Sequence, residues 1–408
     1  MKVVLVNHSD SRGGASVVSM RLLEALRREG VVASMVVAHK SGSAPEVIPV
    51  EGVRKHFLRE HAEIFLRNGL SRKDLFKASI ATSGLELHKI PEVAEADIVV
   101  LNWINQGMMS LKEIALLAAM GKKIVWTMHD MWNMTGICHH AGDCRRYIGE
   151  CGYCPLLHLP EHYRDLSHIL WERKNRLYDS VPVTFVAVSH WLHDRAMQSK
   201  LIKRRDVRVI HNAFPVEKFS PEPKFPRCEL GLPEGKKLIV MGAARLDDSI
   251  KGLPYAIEAL NTLSEERGDF AAVFFGALRD KSFMNRLKAP AVWLGSLGDF
   301  DVIRSVYAHS AVVLSSSLFE TLPGTLIEGM ASGCFPVAFD SGGQSDIITQ
   351  NGRNGFLATP YKTAELARGL SLGLDSTVSA TDLRAEVGAR FSARAIARQY
   401  ISLFEEIL

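Results

Sequence analysis

Residues 317–328 read SLFETLPGTLIE, and the fold assignment rests mainly on this segment. It places two carboxylates, Glu320 and Glu328, eight residues apart on either side of a Pro-Gly pair. The run AVVL at 311–314 is apolar and β-prone, which is typical of a buried parallel strand. The run 325–331 favours a helix, and a glycine two residues beyond it is a stop signal. The stretch therefore predicts a strand, a turn and a helix, with one carboxylate at the carboxyl end of the strand and the other about one turn into the helix.

The Pro323-Gly324 turn lies where the predicted helix begins. Backbone N–H groups in the first turn of a helix have no intrahelical partner, and the helix dipole there favours anions. Carboxylates that accept hydrogen bonds from sugar or ribose hydroxyls, next to amides that bind phosphate, suit a nucleotide-sugar. Taken alone, Glu328 is equally well explained as a partner of the helix dipole.

The chain has 408 residues, more than one hydrophobic core usually supports, so two domains are expected. Apolar runs alternate with helical patterns along both halves, which predicts parallel sheets flanked by helices. Two such domains bind ligands at the carboxyl ends of their strands, so we expect the site in the cleft between them. The proline-rich segment 211–226 is the predicted boundary. The predicted strands are Lys2–Val6, Ser34–Ala38, Ile98–Leu101, Lys123–Thr127, Thr184–Val188, Val207–Ile210, Leu238–Ala243, Ala271–Phe275, Val292–Leu294, Ala311–Leu314 and Phe335–Ala338.

Composition is that of an ordinary globular protein, with 47% hydrophobic and 23% charged residues. The sequence contains no apolar run of the roughly 18 residues that a membrane span needs. The first six residues, MKVVLV, predict a short strand and not a signal peptide. A cytoplasmic protein is therefore expected.

The net charge of +4 comes from the first half of the chain. Residues 1–200 carry 25 basic and 21 acidic side chains, whereas the other 208 residues carry 24 of each. The segment 54–77 holds seven basic and three acidic residues among apolar ones, which predicts a basic amphipathic helix or a pair of helices. Two interpretations stay open: a solvated surface helix, or peripheral contact with the inner face of an anionic membrane that carries a lipid-linked acceptor. The moderate isoelectric point and the lack of a known binding motif argue against a nucleic-acid partner.

Two further motifs follow predicted strands. Arg245 and Lys251 come after the first strand of the second half, where cations can neutralise a diphosphate at about 1.5–3 kcal/mol per charge-assisted bond. The alternative is a pair of surface cations near a helix start. The loop 11–16, SRGGAS, follows the first strand and lets the backbone approach a phosphate closely. It lacks the G-x-G-x-x-G spacing of a dinucleotide site, which counts against a dehydrogenase.

Together these motifs resemble the retaining glycosyltransferases of family 4 (glycosyl transferases group 1), which have the GT-B fold. The E-x7-E motif of that family corresponds to Glu320 and Glu328. GCFPV at 333–337 and SGG at 341–343 also match family positions, as does the block WTMHD at 126–130.

The resemblance implies a GT-B architecture, an α/β fold of two Rossmann-like, doubly wound domains facing across a cleft. Residues 1–212 are then the acceptor-side domain and contain the cysteine-rich loop 138–154. Residues 213–392 are the nucleotide-sugar-binding domain, and 393–408 form a helix that returns to the first domain. The expected linker motif is present at the boundary, although Ala213 replaces the more usual glycine.

The resemblance also assigns the site residues. Glu320 contacts the donor sugar and Glu328 the ribose, and His129 lies near the transferred sugar and positions it. The expected catalytic residues are His129, Glu320, Arg245 and Lys251. The expected donor-binding residues are Gly13, Gly14, Arg245, Lys251, Leu297, Glu320, Leu322, Pro323, Gly324, Thr325, Leu326 and Glu328.

The run DFD at 299–301 is similar to the D-x-D metal motif of the other major glycosyltransferase fold. We predict instead that Asp299 caps a helix at 302–308. No metal or other cofactor is then expected to be required for catalysis, because Arg245 and Lys251 neutralise the diphosphate.

Four of the six cysteines fall together at Cys138, Cys144, Cys151 and Cys154. Two structural disulfides are not expected in a cytoplasmic chain. Four thiolates ending in C-x2-C suit a structural tetrahedral zinc. Reduced, unligated thiols and a redox function stay open as alternatives.

The sequence as a whole predicts a retaining, metal-independent glycosyltransferase of the hexosyltransferase type. It would move a sugar from a nucleotide-sugar donor to a hydroxyl of a glycan or lipid-linked acceptor, in assembly of a bacterial surface polysaccharide. The cysteine-rich insert and NWIN at 102–105 are similar to colanic-acid-type transferases, although Asn102 stands where their histidine is usual. The alternatives are a nucleotide-sugar 2-epimerase of the same fold and a non-catalytic sugar-nucleotide-binding protein.

Overall fold

The computed structural model describes residues 1–158 and 162–408. It divides into two compact units, Met1–Ala213 together with Ile396–Leu408, and Phe214–Ala395. Each unit is a parallel sheet flanked by helices, so the predicted pair of Rossmann-like α/β domains is confirmed. Among the described residues, no helix combines the length and apolar composition that crossing a bilayer requires.

The first unit is built on a parallel sheet that has seven strands within the described part of the chain. Their order is β3-β2-β1-β4-β5-β6-β7. The six strands predicted in this half are confirmed to within three residues at each end. The short edge strand β3 was not predicted, since three residues that include a proline give little periodic signal. The strands are β1 Lys2–Ser9, β2 Val32–His39, β3 Val47–Pro49, β4 Ile98–Leu101, β5 Lys123–Met128, β6 Val183–Ala187 and β7 Asp206–Val209.

The helices of the first unit cover this sheet. They are α1 Gly14–Arg28, α2 Val53–Arg67, α3 Pro91–Ala94, α4 Leu111–Ala119, α5 Leu166–Ser180, α6 His190–Gln198 and, at the carboxyl end of the chain, α13 Ala393–Ile407. Helix α13 buries one stripe, Ile396, Ala397, Tyr400, Leu403 and Phe404, at the spacing of an amphipathic helix. Tyr400 lies 3.0 Å by its hydroxyl from Thr127 Oγ1 on β5, so the last helix packs on the first unit.

The segment 54–77 is only partly helical. Helix α2 ends at Arg67, and a single 3-10 turn at Leu75–Lys77 follows. The second helix of the predicted pair does not form. Asn68, which directly follows α2, donates from its side-chain amide to the carbonyls of Ser71 and Lys73 and so stabilises a turn in its place.

The second unit is built on a parallel sheet with six strands in the described chain. Their order is β10-β9-β8-β11-β12-β13. The five strands predicted in this half are confirmed, and the short β13 was missed. The strands are β8 Lys237–Arg245, β9 Phe270–Ala277, β10 Ala291–Trp293, β11 Val312–Ser315, β12 Phe335–Phe339 and β13 Phe356–Ala358.

The helices of the second unit enclose a core that includes Phe270, Phe274 and Phe339. They are α7 Arg227–Leu230, α8 Leu253–Glu266, α9 Phe300–Ala308, α10 Gly324–Ala331, α11 Thr363–Leu374 and α12 Ala380–Phe391. The prediction that Asp299 is a helix cap is confirmed, because its carboxylate accepts hydrogen bonds from Asp301 N and Val302 N at the start of α9.

Candidate functional site

The predicted donor-binding residues of the second unit lie near the point where the strand order of its sheet reverses, between β8 and β11. Strands β8 and β11 are neighbours, and from them the chain proceeds to opposite edges of the sheet. The loops that leave their carboxyl ends therefore diverge and open a crevice, which is where open α/β sheets bind ligands. Lys251 follows β8 and Glu320 follows β11, so sequence positions 69 residues apart meet here.

The two loops are joined by several hydrogen bonds. Leu318 N donates to the carbonyl of Ile250 at 2.7 Å, and Ser316 Oγ donates to the carbonyl of Lys251 at 2.9 Å. The Lys251 ammonium forms an ion pair with the Glu320 carboxylate. Both side chains remain partly exposed, so the pair faces solvent and can be reached by a ligand.

Glycines make this close approach of the loops geometrically possible. Gly252 has a φ of +66°, and a Cβ at this position would lie 2.0 Å from the carbonyl oxygen of Ser316. A Cβ on Gly342 would lie 1.9 Å from the carbonyl oxygen of Glu320. That oxygen instead accepts a hydrogen bond from Gly343 N at 2.9 Å. The SGG run noted in the sequence therefore holds the Glu320 loop in place.

Helix α10 begins beside the Glu320 loop with its first turn uncapped by any side chain. Pro323 is the N-cap residue and offers no side-chain acceptor. Leu322 is buried, whereas Gly324 and Thr325 are partly exposed. The amides at this helix start are accordingly suited to bind an anion.

Glu328 lies one turn into α10 and is partly buried. It neighbours Tyr307 of α9: burial raises the pKa of the Tyr307 hydroxyl, and the charge of Glu328 raises it further. The predicted second carboxylate therefore emerges from the helix that begins at the Pro-Gly turn.

Arg245 forms ion pairs with other carboxylates than Lys251 does. Its guanidinium lies 3.5 Å from Asp247 Oδ1 and 3.3 Å from Asp248 Oδ2. These acidic neighbours were missed, although they follow Arg245 almost directly in the sequence. Leu297 lies partly buried in the loop after β10, and that loop is tied to the end of β9 because Gly276 N donates to the carbonyl of Gly295 at 2.7 Å.

The glycine loop of the first unit connects β1 to α1, next to the point between β1 and β4 where the strand order reverses. Gly13 is the N-cap of α1, with a φ of +88° that favours glycine and no side-chain cap. A Cβ on Gly13 or Gly14 would meet no described atom within 4 Å. The loop therefore leaves open space at the amino end of α1.

His129 lies at the carboxyl end of β5, as predicted from the sequence. Its Nε2 lies 3.0 Å from Asn102 Oδ1, which follows β4. Because that oxygen accepts, Nε2 carries the proton and Nδ1 is left as a hydrogen-bond acceptor. Burial lowers the pKa of His129 to about 4, with Asp130 acting in the opposite direction. The imidazole is therefore neutral at pH 7. The positioning contact of Asn102 could have been suspected from its place at the end of a neighbouring strand.

The same direction of shift predicts how the stability of the first unit depends on pH. His8 at the end of β1 also has its pKa lowered to about 4, by burial first and then by His39 and Arg12. Both imidazoles are held neutral in the fold, whereas the unfolded chain takes up protons near pH 6.5. Between these pH values the unfolded state binds more protons than the folded state. The contribution of the two histidines to the free energy of unfolding is therefore fully present above about pH 6.5 and is lost as the pH falls toward 4.

We therefore expect the melting temperature to drop between pH 6.5 and 4.5, and the His8→Gln variant to show a shallower drop. Thermal unfolding across this range measures it. His190→Gln is the matched control, since His190 is exposed. A pH dependence of unfolding identical in His8→Gln and the wild type would contradict the role given to His8.

The four clustered cysteines lie in the first unit, in the segment after β5. All are free thiols: Cys151 is buried, and Cys138, Cys144 and Cys154 are partly buried. Among the described residues, no three of these sulfurs lie all within 4.8 Å of one another. The thiols are gathered in one segment but do not stand at the spacing of a filled metal site.

Family models match both parts of the chain. The model described as Glycosyltransferase Family 4 matches residues 12–218. The model described as Glycosyl transferases group 1 matches residues 235–375, which include Arg245, Lys251, Glu320 and Glu328.

Curated relatives are similar over part of their length. Sulfoquinovosyl transferase SQD2 of Arabidopsis thaliana is 29% identical over 160 residues, 38% of this chain and 30% of the relative. The putative colanic acid biosynthesis glycosyl transferase WcaC of Escherichia coli is 25% identical over 195 residues, 44% of this chain and 45% of the relative. The chain spans less than half the length of the curated relatives it matches.

Solved structures are similar over the whole chain. A glycosyltransferase from Rickettsia africae superposes with a TM-score of 0.69 at 18% identity, covering 100% of this chain and 98% of the other. Alr3699/HepE of Anabaena, solved in complex with UDP and glucose, superposes with a TM-score of 0.63 at 18% identity, covering 100% of both chains. At this identity the likeness shows the fold.

Proposed function

This chain belongs to glycosyltransferase family 4, and we propose that it is a retaining, metal-independent enzyme that moves a sugar from a nucleotide-sugar to an acceptor hydroxyl. The observation that carries the proposal is the Lys251–Glu320 pair at the crevice between β8 and β11, next to the uncapped start of α10. This arrangement places a cation, a carboxylate and free amides within one small region.

The charges of these groups indicate which part of the donor each one binds. The amides of α10 and the Lys251 ammonium bind the diphosphate, and they matter most as the bond to the sugar breaks and negative charge grows on the leaving group. Glu320 accepts hydrogen bonds from sugar hydroxyls, and Glu328 accepts those of the ribose. Arg245 adds positive charge at the end of β8, although Asp247 and Asp248 offset part of it.

Retention of configuration is supported by a neutral His129. With Nδ1 as an acceptor and a pKa of about 4, this imidazole suits a sugar hydroxyl better than it suits proton abstraction at pH 7. In the proposed step the bond from the anomeric carbon to the phosphate oxygen breaks, and the acceptor oxygen bonds to the same face of that carbon. The acceptor proton passes to the leaving phosphate, which departs as a nucleoside diphosphate.

The biosynthetic role or the bound ligand named for similar proteins suggests the substrate classes. WcaC is described as a colanic acid biosynthesis transferase, and HepE was solved with UDP and glucose. We place this chain in bacterial surface-polysaccharide assembly, with a nucleotide-sugar donor and a glycan or lipid-linked acceptor. No catalytic metal is required because Lys251 and the α10 amides supply the positive charge.

The test is product analysis on the purified protein. A thermal-shift screen of nucleoside diphosphates and nucleotide-sugars finds the donor, since a bound ligand raises the melting temperature by mass action. NMR of the product then reports the anomeric configuration, with and without chelator. Retained configuration and unchanged turnover in chelator support the proposal. An isomerised nucleotide-sugar formed without acceptor would establish the epimerase, and the lack of stabilisation by any nucleotide would overturn donor binding.

Helix α2 also supports peripheral contact with an anionic membrane. Its inner face is anchored by buried Glu60, whose carboxylate accepts hydrogen bonds from Ile80 N, Ala81 N and Gly107 N at 2.6–3.0 Å. One of the three acidic residues counted in this segment therefore does not reach the surface. The exposed side chains of the segment are mostly cations and large apolar groups, Arg54, Lys55, Leu58, Arg59, Leu66, Arg67, Leu70, Arg72, Lys73, Phe76 and Lys77.

We expect the protein to bind vesicles that contain anionic phosphatidylglycerol and to be released by high salt, because each cation near the surface contributes about 1 kcal/mol. The double variant Leu66→Ser/Phe76→Ser should bind at least about 10-fold more weakly, because two exposed apolar side chains that would insert into the bilayer are lost. Co-sedimentation measures this, with Leu372→Ser of the second unit as the matched control, since Leu372 is exposed too. Failure to sediment with anionic vesicles would favour the solvated-helix interpretation.

A further inference from the structure

The cysteine segment after β5 is not used by the proposed transfer, yet its thiols influence one another. Burial raises the pKa of Cys138, and the neighbouring Cys144 raises it further. Burial likewise raises the pKa of Cys151 to about 12 and that of Cys154 to about 11, with Cys138 adding to both.

A fully buried lysine lies beside the start of this segment. Lys174 on α5 has no exposed surface. Its ammonium donates to the carbonyls of Trp132, Thr135 and Gly136 at 2.5, 3.1 and 3.0 Å, and it lies 3.4 Å from the centroid of the Trp132 ring. Three acceptors match the three N–H groups of an ammonium, whereas a neutral amine has two. The site is therefore built for the charged form.

That charge needs a counter-charge, because burying an ammonium is costly unless an anion lies near. Gly136 links the ammonium to one of these thiols: its carbonyl accepts a hydrogen bond from Lys174 Nζ at 3.0 Å, and its N–H donates to Cys151 Sγ at 3.2 Å. Asp130 already pairs with His139, the two side chains lying 2.7 Å apart. Ionised thiols of the cysteine segment can supply that negative charge.

The backbone around Cys151 also suits a thiolate. Gly136 N donates a hydrogen bond to Cys151 Sγ at 3.2 Å. Such a bond strengthens when the sulfur is ionised. A Cβ on Gly136 would lie 2.4 Å from the carbonyl oxygen of Ser167 and 3.1 Å from the Cβ of Cys151, so glycine allows the backbone to pack this closely on both residues.

We propose that Cys138, Cys144, Cys151 and Cys154 hold one thiophilic divalent metal ion, and that Lys174 is its buried counter-charge. Zn²⁺ is the ion that tetrahedral four-thiolate sites favour. Binding transfers four S–H protons to solvent and no electrons. The metal–thiolate group then carries two negative charges, of which the ammonium offsets one.

The four sulfurs must move closer together to bind one metal ion. Ligands about 2.3 Å from one Zn²⁺ stand within about 4 Å of each other. Rotation about χ1 from one staggered position to the next displaces a sulfur by about 3 Å, which is the scale of movement required. The closed site would fix the segment that directly follows His129 and Asp130, independently of any donor or acceptor.

The test begins with the metal content of the full-length protein purified under reducing conditions. We expect about one equivalent of zinc per chain. Replacement of the zinc by Co²⁺ should give thiolate-to-metal charge-transfer absorption with a tetrahedral visible spectrum. Cys151→Ser should lose both signals, whereas Cys228→Ser should keep both, because Cys228 is an exposed thiol in the second unit. Folded wild type that binds neither Zn²⁺ nor Co²⁺ would overturn the proposal.

Lys174 is tested by the affinity for Zn²⁺ in competition with a chromophoric chelator. We expect Lys174→Met to bind about 10- to 100-fold more weakly, the usual effect of an outer partner, and Lys174→Arg to bind more tightly than Lys174→Met. Affinity in folded Lys174→Met equal to that of the wild type would refute the counter-charge. If neither variant folds, chelator treatment of the wild type decides the matter: it should lower the melting temperature of the wild type and of Cys228→Ser alike, and an unchanged melting temperature would refute the site.

Discussion

Replacing Lys251 with alanine is expected to lower kcat by about 10²- to 10³-fold, with a smaller effect on donor binding. The reason is that the ammonium stands at the crevice between β8 and β11, where negative charge develops as the diphosphate leaves. An interaction that strengthens only in the transition state changes turnover more than affinity. Steady-state kinetics with the donor found by the thermal-shift screen measures the effect.

The ion pair with Glu320 makes a double-mutant cycle informative. If Lys251 and Glu320 act as one unit on the donor, the losses in Lys251→Ala and Glu320→Gln will not add. The melting temperature should change little, because both partners are partly exposed and such pairs contribute at most about 1 kcal/mol. Lys288→Ala is the matched control, since Lys288 pairs with Glu265 at 3.1 Å on an exposed surface of the same unit. Wild-type turnover in Lys251→Ala would remove this residue from the catalytic set.

Replacing Glu328 with alanine is expected to raise Kd for the nucleoside diphosphate by about 10- to 100-fold. The carboxylate emerges from the first turns of α10, where it can accept hydrogen bonds from ribose hydroxyls beside the amides that bind phosphate. A hydrogen bond to a charged group contributes about 1.5–3 kcal/mol, which corresponds to this range. Calorimetric titration with nucleoside diphosphates measures it directly, without any acceptor.

The neighbouring Tyr307 requires a check on stability. Glu328 raises the pKa of that buried hydroxyl, so its removal changes the surroundings of α9 as well as the ligand site. Glu328→Gln, which keeps the shape and loses the charge, should show an intermediate Kd and a melting temperature close to that of the wild type. Glu265→Ala supplies a control at an exposed carboxylate of the same unit. Unchanged nucleotide affinity in folded Glu328→Ala would refute the ribose assignment.

Much of the fold followed from local patterns. The eleven predicted strands are all present, because a buried parallel strand needs a short apolar run and that run is visible in the sequence. The three-residue edge strands β3 and β13 were missed, whereas the equally short β10 was predicted from its apolar run. The helix at the Pro-Gly turn and the cap at Asp299 were predicted correctly, because both depend on residues within one turn of each other.

Contacts between distant segments were harder to foresee. Arg245 and Lys251 look equivalent in the sequence, yet one is drawn to Asp247 and Asp248 and the other to Glu320. Glu60 looks like one acidic residue among many cations, yet it is buried under three backbone amides. The burial of Lys174 was not predicted, because a lysine on a helix is ordinarily solvated.

Local sequence patterns were sufficient to predict the two α/β units, their family and the short motifs that carry the candidate chemistry, because periodicity, turn residues and motif spacing act over a few positions. Which charges are paired, which are buried and which glycines contact a neighbouring carbonyl became clear only from the three-dimensional structure. Those properties depend on side chains that the parallel sheets bring together from positions far apart in the chain, as Lys251 and Glu320 show.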